Sequence, residues 1–285
     1  MPEVNIHVGC TGFNYDDWKA NLGAFYPPKI SNLELLEFYS TQFTTCEINS
    51  TFYAFPKLET TARWAKQLPD DFIITAKLPK SISQADLIAL TEKPLNDFLN
   101  IMSPLKKNLG PLVMQLSPSF EMNESNLEQI VEFINFFPHK DYELIMEFRH
   151  STWFNDQTYE LLNKKSLGIV SSYLPYIKFN LFEKVQKEYF YLRLIGSHHQ
   201  PIGLGKELKD RSDLMQKTAD DLCEAFSSNP QKSTGYVFIN NHFSGYAPPA
   251  ARKFKEILRE KQMNVLHPKK TVFKGQQKLA DFFGS

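Results

Sequence analysis

The chain lacks most features that would place it outside the cell or in a membrane. Its three cysteines, Cys10, Cys46 and Cys223, show no paired spacing. A disulfide framework is therefore not expected, and a reducing, intracellular setting is. No apolar run approaches the length of a membrane span. The opening Met-Pro-Glu-Val-Asn-Ile carries no basic, apolar leader, so the expected location is the cytoplasm. Lysine and arginine together number 32, as do aspartate and glutamate. A net charge of zero gives no global pull toward nucleic acid or membrane and leaves only a local basic face. A glycine-rich phosphate loop, a nucleophile elbow and a His-x-x-x-His or carboxylate-rich metal spacing are also missing. Zinc chemistry is correspondingly disfavoured.

The densest chemistry is in Thr45-Cys46-Glu47-Ile48-Asn49-Ser50-Thr51-Phe52-Tyr53. Strand alternation puts Glu47, Asn49 and Thr51 on one side. A buried strand tolerates Glu47 and Asn49 only if other segments supply partners, because an unpaired buried charge is very costly.

Those segments recur along the 285 residues. Strands are expected over 6–12, around Glu47, and over 72–77, 112–116, 144–150, 168–172, 189–196 and 235–242. Helical patterns alternate with them. The first starts at Ser31 with a Ser31–Glu34 capping box and a buried stripe of Leu33, Leu36 and Tyr39. Others run over 60–68, around 95–102, and over 125–137, 157–164, 210–226 and 249–260. Eight short apolar strands separated by helices predict a single-domain α/β fold, a TIM-type (β/α)8 barrel over residues 1–265. Residues 266–285 read as a flexible basic tail.

Lys77, Gln115, Glu147, Arg149, Arg193, Asn240, Asn241 and His242 all fall at or just beyond strand C-termini. In a barrel those ends meet on one face, where active sites sit. Glu47 and Glu147 can act as an acid/base pair, share a divalent cation, or serve a glycosidase. Lys77, Arg149 and Arg193 suit an anionic substrate, above all phosphate. They equally suit a structural ion-pair network around the two carboxylates. His242 reads as a base or metal ligand, and a divalent ion held by Glu47, Glu147 and His242 is the candidate cofactor. Asn49, Gln115, Asn240 and Asn241 are expected to orient substrate groups. Trp18, Tyr26, Phe52, Tyr53 and Trp153 are expected at the mouth.

The strand ends also carry a resemblance. Gly9-Cys10-Thr11-Gly12, Phe25-Tyr26-Pro27, Glu47 to Tyr53, Glu147-Phe148-Arg149 with Trp153, Tyr191-Leu192-Arg193 with Gly196, and Asn240-Asn241-His242 before Gly245 and Ala247 resemble the YecE-like family, domain of unknown function 72. The resemblance covers about residues 6 to 262 and implies a barrel without assigning an activity. Ile195 and Tyr173 stand where that family often has histidine and aspartate.

The C-terminus, from Gln276, reads Q-x-x-L-x-x-F-F. It resembles the PIP-box peptide with which proteins dock on ring-shaped DNA sliding clamps of the archaeal and eukaryotic type. Leu279, Phe282 and Phe283 would form an apolar plug on one helical turn, beside Gln276. The leading expectation is therefore an archaeal, clamp-tethered protein of DNA repair or replication that acts on phosphodiester bonds, a nuclease-like hydrolase. In it Glu47 and Glu147 are bases or metal ligands, Lys77, Arg149 and Arg193 hold phosphate, and His242 is an acid or ligand. The alternatives are an enzyme acting on a small anionic or sugar-like substrate and a non-catalytic clamp-binding adaptor.

Overall fold

Every apolar segment expected as a strand forms one, and all pair in parallel. The computed structural model describes residues 4–19, 25–84, 92–176, 184–197, 202–228, 231–269 and 273. The strands are β1 (Asn5–Thr11), β2 (Thr45–Ile48), β3 (Ile73–Lys77), β4 (Leu109–Gln115), β5 (Leu144–Glu147), β6 (Gly168–Tyr173), β7 (Tyr189–Leu194) and β8 (Thr234–Ile239). They run in sequence order from β2 to β8, then β1, which pairs back to β2 and closes the ring. This is the TIM-type (β/α)8 fold that the alternation of strands and helices predicts.

The outer layer comprises α1 (Leu35–Tyr39), α2 (Leu58–Gln67), α3 (Lys80–Ser83), α4 (Glu92–Met102), α5 (Glu124–Phe136), α6 (Asp156–Lys164), α7 (Ser212–Ser228), α8 (Asn241–Ser244) and α9 (Ala247–Glu260). Their buried faces and the outward strand faces share one large core. A second, smaller core fills the barrel interior: Val113, Ile145, Val170, Tyr189, Tyr191 and Phe238. Alternation explains the split, since successive strand residues point to opposite sides. No described helix is long and apolar enough to cross a membrane.

Several expectations change. The Ser31–Glu34 contact is present, with Ser31 Oγ donating to Glu34 Oε2 at 2.6 Å, but the α-helix begins only at Leu35. Leu33 consequently lies outside it and is exposed, not part of the buried stripe. The second strand stops at Ile48, and Ser50–Phe52 turns into a 3-10 segment. Strand β4 starts three residues earlier than expected. Gly110 and Pro111 sit where its register with β3 shifts. A Cβ on Gly110 would come within 2.6 Å of Ile73, and Pro111 has no N–H to offer a ladder, so the irregularity falls where the sequence permits it. Beyond the shift Lys77 pairs with Val113, an interior residue, and so faces inward.

A short strand, β9 (Asn264–Val265), was not foreseen. It pairs with the start of β1 at Asn5 and Ile6, the face opposite the strand C-termini. Contact with the barrel continues past residue 265. The Leu266 N–H donates to Ile6 O at 2.9 Å, and Phe273 is buried with its ring 5.8 Å from that of Phe38. Gln276, Leu279, Phe282 and Phe283 lie outside the described residues.

Candidate active site

Register assembles the site. In parallel strands, paired residues share a face. The ladder pairs Thr11 with Glu47, Glu47 with Thr75, Gln115 with Glu147, and Ser172 with Arg193. These inward positions form a polar layer above the aromatic interior.

Arg193 stands at its centre, 1% exposed. Its Nη1 donates to Glu147 Oε1 and Oε2, both at 2.7 Å, and its Nη2 to Glu47 Oε1 at 2.8 Å. Tyr191 Oη donates to Glu47 Oε2 at 2.7 Å and lies 2.7 Å from Thr75 Oγ1. Ser172 Oγ donates to Glu147 Oε1 at 2.7 Å, and Arg149 reaches the same oxygen from Nη2 at 3.2 Å. Burial alone would raise the Glu147 carboxyl, but Arg149, Arg193 and Lys77 outweigh it and hold it well below the usual carboxylate range. Burial would lower the Arg193 guanidinium, and Glu147 and Glu47 reverse the direction, so it stays charged.

Both glutamates are fully buried, and their oxygens are taken by Arg193, Tyr191, Ser172 and Arg149. The roles of base and metal ligand expected for them do not fit these surroundings. Among the described residues no three His, Cys, Asp or Glu side chains gather as a metal-binding group, so Glu47, Glu147 and His242 do not form one. The two carboxylates instead compensate a buried cation.

Above this layer lies a pocket of about 320 Å³. Of the strand-end residues, Lys77, Gln115, Arg149, Arg193, Asn240, Asn241 and His242 line it, with Asn49 beside them, while Glu147 lies in the layer beneath. Lys77 Nζ donates to Gln115 Oε1 at 2.6 Å and lies 4.9 Å from the Phe52 ring centroid. Burial, reinforced by the Arg193 charge, pushes the Lys77 ammonium down to about 7. The two strand-end asparagines are largely committed to structure. Asn240 Nδ2 donates to Thr11 Oγ1 at 2.6 Å, while its Oδ1 accepts from His242 N at 2.9 Å. Asn241 Oδ1 accepts from Trp18 Nε1 at 3.0 Å and from Ala247 N at 2.9 Å.

The aromatic expectations divide. Phe52 and Tyr53 line the pocket. Tyr26, Trp18 and Trp153 do not; all three are buried in packing. Tyr26 Oη donates to Phe13 O. Trp153 donates its indole N–H to Phe120 O at 2.7 Å and stacks on Phe148. Substrate binding by Tyr26 and Trp153 is therefore replaced by a loop-packing role. Sequence reading missed Tyr15, Ile195 and Ile202 in the lining, and Tyr191, Thr75 and Ser172 beneath it. Tyr191 was findable, because it lies two residues before Arg193 on one strand and so shares its face.

Comparison with known proteins follows the same geometry. A DUF72 family protein of Thermotoga maritima superposes with a TM-score of 0.74 at 24% identity, covering 89% of this chain and 99% of that one. One from Enterococcus faecalis gives 0.68 at 22% identity, covering 89% and 95%. In sequence, YecE of Escherichia coli is 30% identical over 149 residues, 52% of this chain and 50% of that protein. YunF of Bacillus subtilis is 24% identical over 163 residues, 54% of each. The chain thus spans about half the length of the curated relatives it matches. The family model described as "Protein of unknown function DUF72" matches residues 7–275, and on that match the chain belongs to the DUF72 family.

Proposed function

We propose that the barrel is an enzyme for a small anionic substrate, bound against Arg149, on which Lys77 performs proton transfer. The observation carrying this reading is a lysine in a pocket wall whose ammonium is pushed down to about 7. A general acid or base works best when its pKa lies near the working pH. Charge arithmetic supports an anionic ligand. With Lys77 neutral, Arg149 and Arg193 balance Glu47 and Glu147, so the cluster carries no net charge. An arriving anion favours the ammonium form of Lys77 and draws a proton with it. Asn49 and Gln115 add polar groups for a hydroxyl-bearing substrate.

Calorimetric titration with inorganic phosphate tests this. Binding at pH 8 is expected to take up close to one proton, read from the dependence of heat on buffer ionisation. Above pH 7 the affinity is expected to fall by about tenfold per unit as the ammonium is lost. Arg149→Ala is expected to weaken binding by at least about tenfold. Phosphate binding that ignores both pH and Arg149 removes the reading.

The C-terminal sequence favours a second, compatible reading, in which the anion is a DNA phosphodiester and the chain is held on a sliding clamp by Gln276, Leu279, Phe282 and Phe283. Capture of clamp by the wild-type chain, lost in Phe282→Ala/Phe283→Ala, is the expected result. Absence of capture by wild type sinks the clamp role and leaves the pocket chemistry standing.

A further inference from the structure

A second cleft, of about 390 Å³, adjoins the cationic pocket and shares three of its walls, Tyr15, Asn49 and Tyr53. It differs in character. Phe13, Ile48 and Trp64 complete much of its lining, and among the described residues no charged side chain belongs to it. Phe13 and Trp64 meet edge to face, with centroids 5.8 Å apart at 84°.

Two details mark the shared wall. Gly12 has φ of +84°, and a Cβ there would come within 2.8 Å of the Tyr15 ring. The bare glycine therefore lets Tyr15 close onto the β1 end, where its Oη donates to Thr11 O at 2.8 Å. Asn49 Oδ1 is buried and has no hydrogen-bond partner among the described residues. A buried acceptor left unpaired is costly, so a ligand N–H or O–H at this junction would be favoured.

We infer that the substrate is built around a nucleotide unit. Its phosphate meets Arg149 and Lys77 in the cationic pocket. Its base lies in the aromatic cleft, and a base N–H donates to Asn49 Oδ1. The chemistry selects this class among anions. A sugar phosphate offers no flat aromatic face to Phe13, Tyr53 and Trp64, and a phosphorylated lipid presents flexible acyl chains there in place of a flat ring that stacks. Base–aromatic stacking combined with cationic phosphate contacts is a general way of holding such units. The inference rests on the anionic-substrate reading above and adds the second half of the ligand.

Titration of the full chain with the four 5′-mononucleotides, ribose 5-phosphate, inorganic phosphate and a short single-stranded oligonucleotide tests it. The tightest mononucleotide is expected to bind about tenfold or more tightly than ribose 5-phosphate, the scale of one stacked base. Tyr53 is 83% exposed, so Tyr53→Ala should fold normally, checked by its melting curve. In that variant the ratio of mononucleotide to ribose 5-phosphate affinity is expected to shrink severalfold. Asn49→Ala is expected to weaken the mononucleotide severalfold more than it weakens inorganic phosphate. Tighter binding of the oligonucleotide than of any mononucleotide identifies a strand as the source, and the reverse a free nucleotide; both support the inference. Equal affinity for ribose 5-phosphate and every mononucleotide in the wild type overturns it while leaving the anion reading intact. No binding of any phosphate-bearing probe overturns both.

Discussion

Arg193 decides the behaviour of the buried charges. It neutralises two glutamates that begin 146 and 46 residues away in the chain. Removing one partner of a buried ionic pair typically costs about 3–5 kcal/mol, because the remaining charge is left uncompensated. Arg193→Leu is expected to lose at least that much in a urea melt, more than any single glutamate-to-glutamine change in the same cluster. Glu147 adds a pH dependence. Its folded carboxyl is held below its unfolded value, so its contribution is present above the ordinary carboxylate range and disappears as pH falls through and below it. Lys77 acts in the same direction, over a higher pH window. Its folded value, about 7, lies below the ordinary lysine value of 10.5. Between these limits the unfolded chain binds the extra proton, so stability should rise with pH across that window. Lys77→Met is expected to flatten that rise, measured as the difference between urea midpoints of wild type and variant at pH 7 and pH 9.5. At this scale the sequence revealed the pocket wall, since Lys77, Gln115, Arg149, Arg193 and Asn240 are polar interruptions in apolar strands. Tyr191, Thr75 and Ser172 escaped notice because such residues are ordinary in strands. The status of Glu47 was also hidden. Whether a carboxylate meets solvent, metal or guanidinium depends on which strands become neighbours when the ring closes.

The elements themselves were largely legible, with their ends displaced for local reasons. Helices α5 and α6 were expected one residue later than they begin, and each is capped by an asparagine. Asn123 Oδ1 accepts from Asn126 N at 2.9 Å, and Asn155 Oδ1 from Thr158 N at 3.0 Å. Asn155→Ala is expected to cost about 1 kcal/mol in the same urea assay while leaving phosphate binding unchanged. Strand β7 ends where Gly196 takes φ of +79°, and a Cβ there would lie 2.5 Å from His242 O. The Gly196 turn thus approaches the backbone of α8 closely at His242, which lines the pocket. Neither the β4 irregularity nor β9 announces itself by hydrophobic pattern. The first depends on Gly110-Pro111 meeting Ile73, and the second on only two residues pairing with β1 across the whole length of the chain.

The whole molecule has two unlike ends. The C-terminal segment leaves by the end where β9 pairs with the start of β1, and it is still in contact at Phe273. The pocket opens at the other end. Several exposed large apolar side chains among the described residues, Tyr53, Phe55, Tyr176, Ile202 and Leu204, lie in segments that follow strand C-termini, and Tyr53 and Ile202 line the pocket itself. Such clustering on one face marks a surface that meets other molecules. The central claim is that a charge-balanced floor of Glu47, Arg193 and Glu147 leaves Lys77 poised near neutrality in a pocket built for an anion. Direct titration of the Lys77 side chain by nuclear magnetic resonance, with Lys77→Arg identifying its signal, tests this most closely. A midpoint near 7 that moves upward when phosphate is added is the predicted result. A midpoint near 10.5, unmoved by phosphate, would contradict it.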